Sequence, residues 1–177
     1  MKVKFLFVAT VVALFIASCG GVDKQLVDNI NKFETDWTTM VKDVNTMSET
    51  MATDAASTIK ECDEACMKDC KDKKKQAALD SIKETCKMTK DGINSAVANA
   101  NKFKEDLTKS TTEFSAWKEK VMKGEVKGEE ATKGLTEYQS KMTESKDQMK
   151  SIQDAYDRSK KECMTSCNGA KDCCEKK

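Results

Sequence analysis

The chain has 177 residues with nine cysteines, no histidine and no proline, and its 31 basic and 30 acidic side chains give a formal net charge of +1. A balance so close to zero, with no basic patch interleaved with aromatic residues, argues against a nucleic-acid-binding protein. The lack of histidine removes the side chain that most often serves as general base or metal ligand. Because 34% of the residues are charged and proline is absent, the composition favours long helices with one face in water.

The N-terminal segment 1–18 has the pattern of a secretory signal. Lys2 and Lys4 precede an apolar run over residues 5–16, which is shorter than the roughly 20 apolar residues that a membrane-spanning helix needs. The run ends in an aliphatic residue, two small residues and a cysteine: Ile16, Ala17, Ser18 and Cys19. This motif resembles the lipobox of bacterial lipoproteins. The resemblance implies that the Cys19 thiol receives a diacylglycerol, that the chain is cut just before Cys19, and that the new amine is acylated.

The alternative to a lipoprotein is a plain secreted protein with an ordinary signal peptide, and the number of cysteines helps to decide between the two. Nine cysteines is an odd number, whereas eight remain once Cys19 is set aside as a lipidation site. An even set suits an exported domain with disulfide bonds. The resemblance thus implies a mature chain 19–177, which loses two lysines with the signal and has a formal charge of −1. Its attachment to a membrane would be through the lipid on Cys19.

The rest of the chain shows one pattern three times, with apolar residues spaced alternately three and four apart. The runs extend over residues 26–51, 79–121 and 135–163. A repeat of 3.5 residues is the seam of a coiled coil, and it predicts helices that bury this seam against one another. In the first run the seam continues through residues each four apart, a stutter that locally unwinds a left-handed supercoil: Met47, Met51, Ala55 and Ile59.

Two stretches separate the runs: a charged segment at 71–75, and residues 123–129, framed by Gly124 and Gly128. We therefore predict helices at about 22–70, 76–122 and 129–167, followed by a cysteine-rich tail at 168–177. Short connections make neighbouring helices antiparallel. The predicted fold is all-α: a single domain, 19–177, forming an elongated up-down-up bundle of three helices. Aromatic residues on the seams are interpreted as core packing, with a ligand pocket between the helices as the alternative: Phe33, Trp37, Phe103, Phe114 and Trp117.

The up-down-up topology brings the eight remaining cysteines to one end of the bundle. They lie at the end of the first helix, the start of the second, the end of the third and in the tail: Cys62, Cys66, Cys70, Cys86, Cys163, Cys167, Cys173 and Cys174. Export favours structural disulfides for this cluster over the alternatives of a metal site or a redox centre. Zinc and iron–sulfur sites more often have cysteines two residues apart, so we expect no metal and no cofactor.

The sequence predicts the pairing of these cysteines less directly than it predicts their clustering. If the first connection centres near residue 73, Cys62 is level with Cys86, and these two are the best single candidate for a disulfide. Cys86 is also near Cys163 and Cys167 if the second connection centres near residue 126, and Cys66 and Cys70 are expected to meet Cys167, Cys173 or Cys174. Since eight cysteines allow 105 connectivities, the prediction is the cluster and not its pairing. Neighbouring acidic residues are interpreted as surface charge: Asp63, Glu64 and Asp69.

No catalytic motif is present in the sequence, and we do not expect an enzyme. The leading hypothesis is a membrane-anchored, non-enzymatic helical lipoprotein that acts as a structural or binding module. This hypothesis allows a protein partner to bind at the cysteine-rich end, and it allows the chain to form oligomers. Gly20, rather than Asp, follows Cys19, and by resemblance to enterobacterial lipoproteins this implies the outer membrane or cell surface. The alternatives are a carrier or inhibitor that binds a hydrophobic ligand or a protein, a plain secreted protein, and an envelope protein attached to peptidoglycan through Lys177, as in murein lipoproteins.

Overall fold

A computed structural model describes residues 23–66 and 73–175 of the chain, with side chains described for all of these except 73, 74 and 173–175. It contains three long helices: α1 (Lys24–Cys66), α2 (Lys73–Met122) and α3 (Gly128–Glu175). They form an antiparallel up-down-up bundle in which each helix packs against both others. The predicted all-α three-helix bundle is confirmed. The signal segment, Cys19 and the predicted end of the first helix at residue 70 lie outside the described residues.

The start of α1 and the end of α2 both have recognisable caps. At the start of α1, the Asp23 carboxylate accepts a hydrogen bond of 3.0 Å from the backbone N–H of Gln25, as an N-cap does. After α2, Gly124 has a φ of 71°, and its N–H donates to the carbonyl of Val121 while the N–H of Glu125 donates to the carbonyl of Lys120. This is the Schellman arrangement, which favours glycine because φ is positive. The prediction that glycines frame this connection is confirmed, and Gly128, with a φ of 58°, begins α3.

The third helix extends to Glu175, past the expected end at residue 167, and the second begins at Lys73 rather than 76. Residues 168–175, expected to be a non-helical tail, are therefore helical. The reason is that the three-and-four spacing continues beyond Cys163 through Cys167 and Ala170, both fully buried. Within a stretch that has no proline, one more turn of seam is sufficient to extend a helix that is packed on two neighbours. No described helix contains a segment that is long and apolar enough to cross a membrane.

The seam of α1 departs from the predicted one after Val44. Ser48 and Thr58 are buried, whereas Met47 and Ile59, which the sequence pattern assigned to the seam, are only half-buried. Ser48 can be buried at low cost because its hydroxyl donates a hydrogen bond of 2.8 Å to the side-chain oxygen of Asn101 on α2. The buried residues Met40, Val44 and Ser48 are each four apart, so the stutter occurs earlier than predicted. The hydrogen-bonded pair of Ser48 and Asn101 occupies the seam at the position predicted for Met47.

Gly134 allows α3 to pack closely against Trp117 of α2. A Cβ added at Gly134 would lie 2.5 Å from Nε1 and 2.8 Å from Cε2 of the indole. We predict that Gly134→Ala lowers the free energy of unfolding by about 1–2 kcal/mol, because crowding of a rigid ring outweighs the gain in helix propensity. Gly169→Ala is the matched control on the same helix: its Cβ would meet Ile82 Cδ1 at an ordinary 3.6 Å, and propensity alone favours it by up to about 1 kcal/mol. Urea denaturation of both variants checks this, and a stabilised Gly134→Ala would contradict it.

A polar network joins α1 to α3 midway along the bundle. The carboxylate of Asp54 accepts hydrogen bonds from the hydroxyl of Tyr156 at 2.8 Å and from the ammonium of Lys160 at 2.5 Å. The bond from Lys160, partly offset by burial and reinforced by Tyr156, lowers the pKa of Asp54 below its ordinary value of 3.8. Burial and the hydrogen bond to Asp54 raise the pKa of Tyr156.

Since the folded state lowers the pKa of Asp54, its charged form adds stability above about pH 4 and loses that contribution as the pH falls through the folded-state pKa. We predict that Asp54→Asn costs about 1 kcal/mol at pH 7, a modest value because the Asp54 side chain is 37% exposed. The difference from the wild type should shrink in acid. Asp43→Asn, at an exposed carboxylate of the same helix, is the control. A cost for Asp54→Asn that stays constant from pH 7 down to pH 2 would count against this interpretation.

Candidate functional site: the cysteine-rich end

The structure brings five cysteines together at one end of the bundle, which we call the cysteine end: Cys62, Cys66, Cys86, Cys163 and Cys167. The first two lie on the last turns of α1, Cys86 lies on α2, and the last two lie near the end of α3. Cys70 lies outside the described residues, as does Cys19. Cys173 and Cys174 are within α3, but their side chains are outside the described part. For the five described cysteines, the heptad argument thus gives the correct end of the bundle.

Cys62 and Cys163 form a disulfide that joins α1 to α3, with their Cα atoms 6.8 Å apart. The pairing of Cys62 with Cys86, expected from the position of the first connection, is wrong. Cys62 is directed towards α3, whereas Cys66, one helical turn further along α1, faces Cys86 on α2.

Side chains interlock α1 and α2 along their length. One contact is the hydrogen bond of 2.9 Å from the indole N–H of Trp37 to the hydroxyl of Thr111. Another is the pair formed by Ser48 and Asn101. Both contacts agree, to within about two residues, with the levels expected from a symmetric first connection. The expected cysteine pairing fails because Cys62 faces α3 rather than α2.

Cys66 and Cys86 face each other across α1 and α2, and their sulfur atoms are 3.0 Å apart. Both are thiols; Cys86 is 1% exposed, whereas Cys66 is half-buried. Burial and then the hydrogen bond with Cys66 raise the pKa of Cys86 to about 12. Cys86 is therefore a protonated thiol at neutral pH that solvent scarcely reaches.

Cys167 is the third described thiol at this end, and it is fully buried. Its Sγ donates a hydrogen bond of 3.6 Å to the backbone carbonyl of Glu61 on α1. Burial raises the pKa of the Cys167 thiol, which the charge of Lys171 partly offsets. This thiol therefore fixes α3 against α1 without a covalent bond.

A charged pair lies beside the thiols. The ammonium of Lys90 on α2 binds the carboxylate of Asp63 on α1, and this hydrogen bond, although partly offset by burial, raises the pKa of Lys90. The Lys90 charge lowers the pKa of Cys86, although by less than burial and Cys66 raise it. Asp63, interpreted from the sequence as surface charge, is 42% exposed and also forms this ion pair between helices. The sequence offered no signal for this pair, because opposite charges on two helices become neighbours only in a particular register.

The side chains that lie near the thiols of the cysteine end decide whether these thiols are suited to metal binding or to thiol–disulfide exchange. Among the described side chains, at 23–66 and 75–172, no three or more from His, Cys, Asp and Glu are arranged to hold a metal ion. Four of the five described cysteine sulfurs instead lie in two pairs, one bonded and one in contact, and the fifth belongs to Cys167. Paired thiols beside a disulfide are suited to thiol–disulfide exchange and to covalent cross-linking of helices.

The opposite end of the bundle is filled by aromatic rings. Five rings from the three helices pack with centroids 5.0 to 6.5 Å apart: Phe33, Trp37, Phe114, Trp117 and Tyr138. This confirms the interpretation of the aromatic seam residues as core packing, and Phe103 is also buried, further along α2. Two concavities in the described surface are open grooves, one lined by Glu49, Thr50, Thr53, Asp54 and Ser57 and the other by Asn29, Lys32, Phe33, Asp36, Gln139 and Met142. Neither is an enclosed cavity of the kind that buries most of a hydrophobic ligand.

Comparison with known proteins gives no relative from which a role could be transferred. No protein-family model, no curated protein and no solved structure matches the chain. The case for any function therefore rests on the residues and on the geometry described above.

Proposed function

We propose that the protein is a lipid-anchored, non-enzymatic spacer of the bacterial cell envelope. In this proposal a lipid on Cys19 holds the aromatic end of the bundle near a membrane, and the bundle carries the cysteine end outward. The observation that carries the proposal is the motif over residues 16–19, which resembles a lipobox, directly ahead of a long helical bundle.

The position of the first helix supports the orientation. Only three residues lie between Cys19 and the N-cap Asp23, and the four steps from one to the other can span at most about 14 Å. A lipid on Cys19 would therefore lie close to the start of α1, the end of α2 and the start of α3. Cys62 lies 38 residues beyond Lys24, which along a helix is about 57 Å. The cysteine end would accordingly be well clear of the lipid headgroups if the bundle stands upright.

The construction of the bundle supports a mechanical role over that of a carrier. Its described interior is occupied by packed side chains, with tightly packed rings at one end and a disulfide at the other. Such a structure keeps its length and resists fraying at the end that is furthest from the anchor. The outer membrane or cell surface is the proposed location, by the resemblance of Cys19-Gly20 to the start of mature enterobacterial lipoproteins.

Cell fractionation of the Cys19→Ser variant tests the proposal. In a bacterial host, we expect the wild-type chain in the membrane fraction, extractable by detergent but not by salt or alkali, because acyl chains hold it. Cys19→Ser should move to the soluble fraction. Cys66→Ser, which changes a half-buried cysteine of the bundle, is the control and should remain with the membrane. Equal membrane retention of wild type and Cys19→Ser would reject lipid anchoring.

A further inference from the structure

We propose that Cys66 and Cys86 form a second disulfide and that Cys66 is the thiol through which an external disulfide reacts with the bundle. The proposal rests on the proposed function in one respect, since it takes from it the export of the chain to an oxidising compartment. The external oxidant is a disulfide-bonded thiol compound or a dithiol–disulfide oxidoreductase.

The geometry brings the two sulfur atoms almost to bonding distance. They are 3.0 Å apart, and a disulfide needs about 2.05 Å, so the bond requires a movement of about 1 Å, within the range of side-chain rotation. Cys62 and Cys66 lie one helical turn apart on α1. The first is bonded to α3 and the second faces α2. A Cys66–Cys86 bond would therefore make α1 the covalent centre of the bundle, tied to both neighbours at the cysteine end.

Exposure determines the order of the reaction. The half-buried Cys66 can be reached by an external disulfide, whereas Cys86 is 1% exposed and cannot. Cys66 first loses its proton, and its thiolate attacks one sulfur of the external disulfide, releasing one thiol and leaving a mixed disulfide. Cys86 then loses its proton and attacks the Cys66 sulfur, releasing the second external thiol. Two cysteine thiols are oxidised by two electrons, and the external disulfide is reduced to two thiols.

Two neighbouring groups favour this pairing over others. The Lys90 ammonium, held in place by Asp63, partly offsets the burial that raises the pKa of the Cys86 thiol, and so favours the thiolate that the second step needs. Cys167 is the competing partner for Cys66, but its thiol is directed to the carbonyl of Glu61. The Cys66–Cys167 bond is therefore the alternative that an experiment must separate.

Peptide mapping of the full chain carrying Cys19→Ser separates the pairings. The protein is purified reduced, oxidised with glutathione disulfide, alkylated in acid and digested with trypsin and a protease that cuts before aspartate. These enzymes isolate Cys66 in peptide 63–68, Cys86 in 84–87, and the α3 cysteines Cys163 and Cys167 together in 162–171. We expect peptide 63–68 to be linked to 84–87. Linkage of 63–68 to 162–171, or its recovery with an alkylated thiol, would overturn the proposal.

Single variants test the order of reaction. With Cys86→Ser, the mixed disulfide cannot be resolved, and a glutathione adduct should accumulate on peptide 63–68. With Cys66→Ser, peptide 84–87 should remain unmodified over the same time, since Cys86 is buried. Rapid glutathione addition to Cys86 in folded Cys66→Ser protein, with folding checked by circular dichroism, would contradict Cys66 as the reactive thiol.

The same mapping on protein taken from cells distinguishes this inference from the proposed function. A chain that forms the Cys66–Cys86 bond in vitro but is fully reduced in cells would count against export and leave the pairing intact. A chain in the membrane fraction with peptide 63–68 linked elsewhere would overturn the pairing and leave the lipid anchor intact.

Discussion

Loss of the Cys62–Cys163 disulfide is expected to lower the free energy of unfolding by about 4 kcal/mol, since the bond closes a loop with a sequence separation of 101. The double variant Cys62→Ala/Cys163→Ala tests this. Alanine is preferred to serine because both positions are fully buried and a hydroxyl there would need a hydrogen-bond partner. We expect most of the helix signal to survive at room temperature while the melting temperature falls sharply, because the seam away from this end is unchanged.

Reductant provides the internal control for this prediction. Wild type treated with a strong thiol should approach the stability of the double variant, and the variant itself should respond much less. Urea denaturation monitored by circular dichroism, with and without reductant, measures both effects. Wild-type curves that coincide in the two conditions would show that no disulfide contributes to stability.

The second large effect is expected at the aromatic end. Phe114 is 1% exposed and contacts four other rings, with centroid distances of 5.0 Å to Phe33, 5.1 Å to Tyr138, 5.8 Å to Trp117 and 6.5 Å to Trp37. Phe114→Ala removes the central ring and leaves a cavity between three helices. We expect a loss of about 3–5 kcal/mol, the range observed when a buried phenylalanine is truncated.

Met88→Ala on the same helix is the matched control, because Met88 is 68% exposed and its truncation should change stability by less than about 0.5 kcal/mol. Denaturation monitored by the fluorescence of Trp37 and Trp117 reports directly on the aromatic end. Equal stabilities of Phe114→Ala and Met88→Ala would contradict the packing that we describe.

The fold follows from the sequence because heptad spacing is a local property that each helix displays independently. In α2 the predicted seam agrees with the buried residues from Leu79 to Val121, including Cys86, Ile93 and Phe114. The agreement is weaker in the middle of α3, where Tyr138 and Met142 are half-buried although the pattern assigned them to the seam. Spacing indicates which face points inward, but the depth of burial depends on how the neighbouring helices cover it.

The details of the cysteine end could not be predicted from spacing alone. The pairing of Cys62 with Cys163 rather than Cys86 depends on which neighbouring helix each side of α1 faces, since Cys62 is directed towards α3 and Cys66 towards α2. Spacing along one helix indicates the inward face but does not divide that face between two neighbours. The contact between Cys66 and Cys86 was missed for the same reason.

Mass spectrometry of the mature N-terminus tests the lipid anchor, on which the proposed function depends, most directly. Trypsin cuts after Lys4 and after Lys24, so a chain that keeps its signal yields peptide 5–24, whereas processing at Cys19 yields peptide 19–24. In protein from the membrane fraction we predict peptide 19–24, carrying a diacylglycerol on the Cys19 sulfur and a fatty acid on its amine. Peptide 5–24, or a processed peptide with a free Cys19 thiol, would contradict the account.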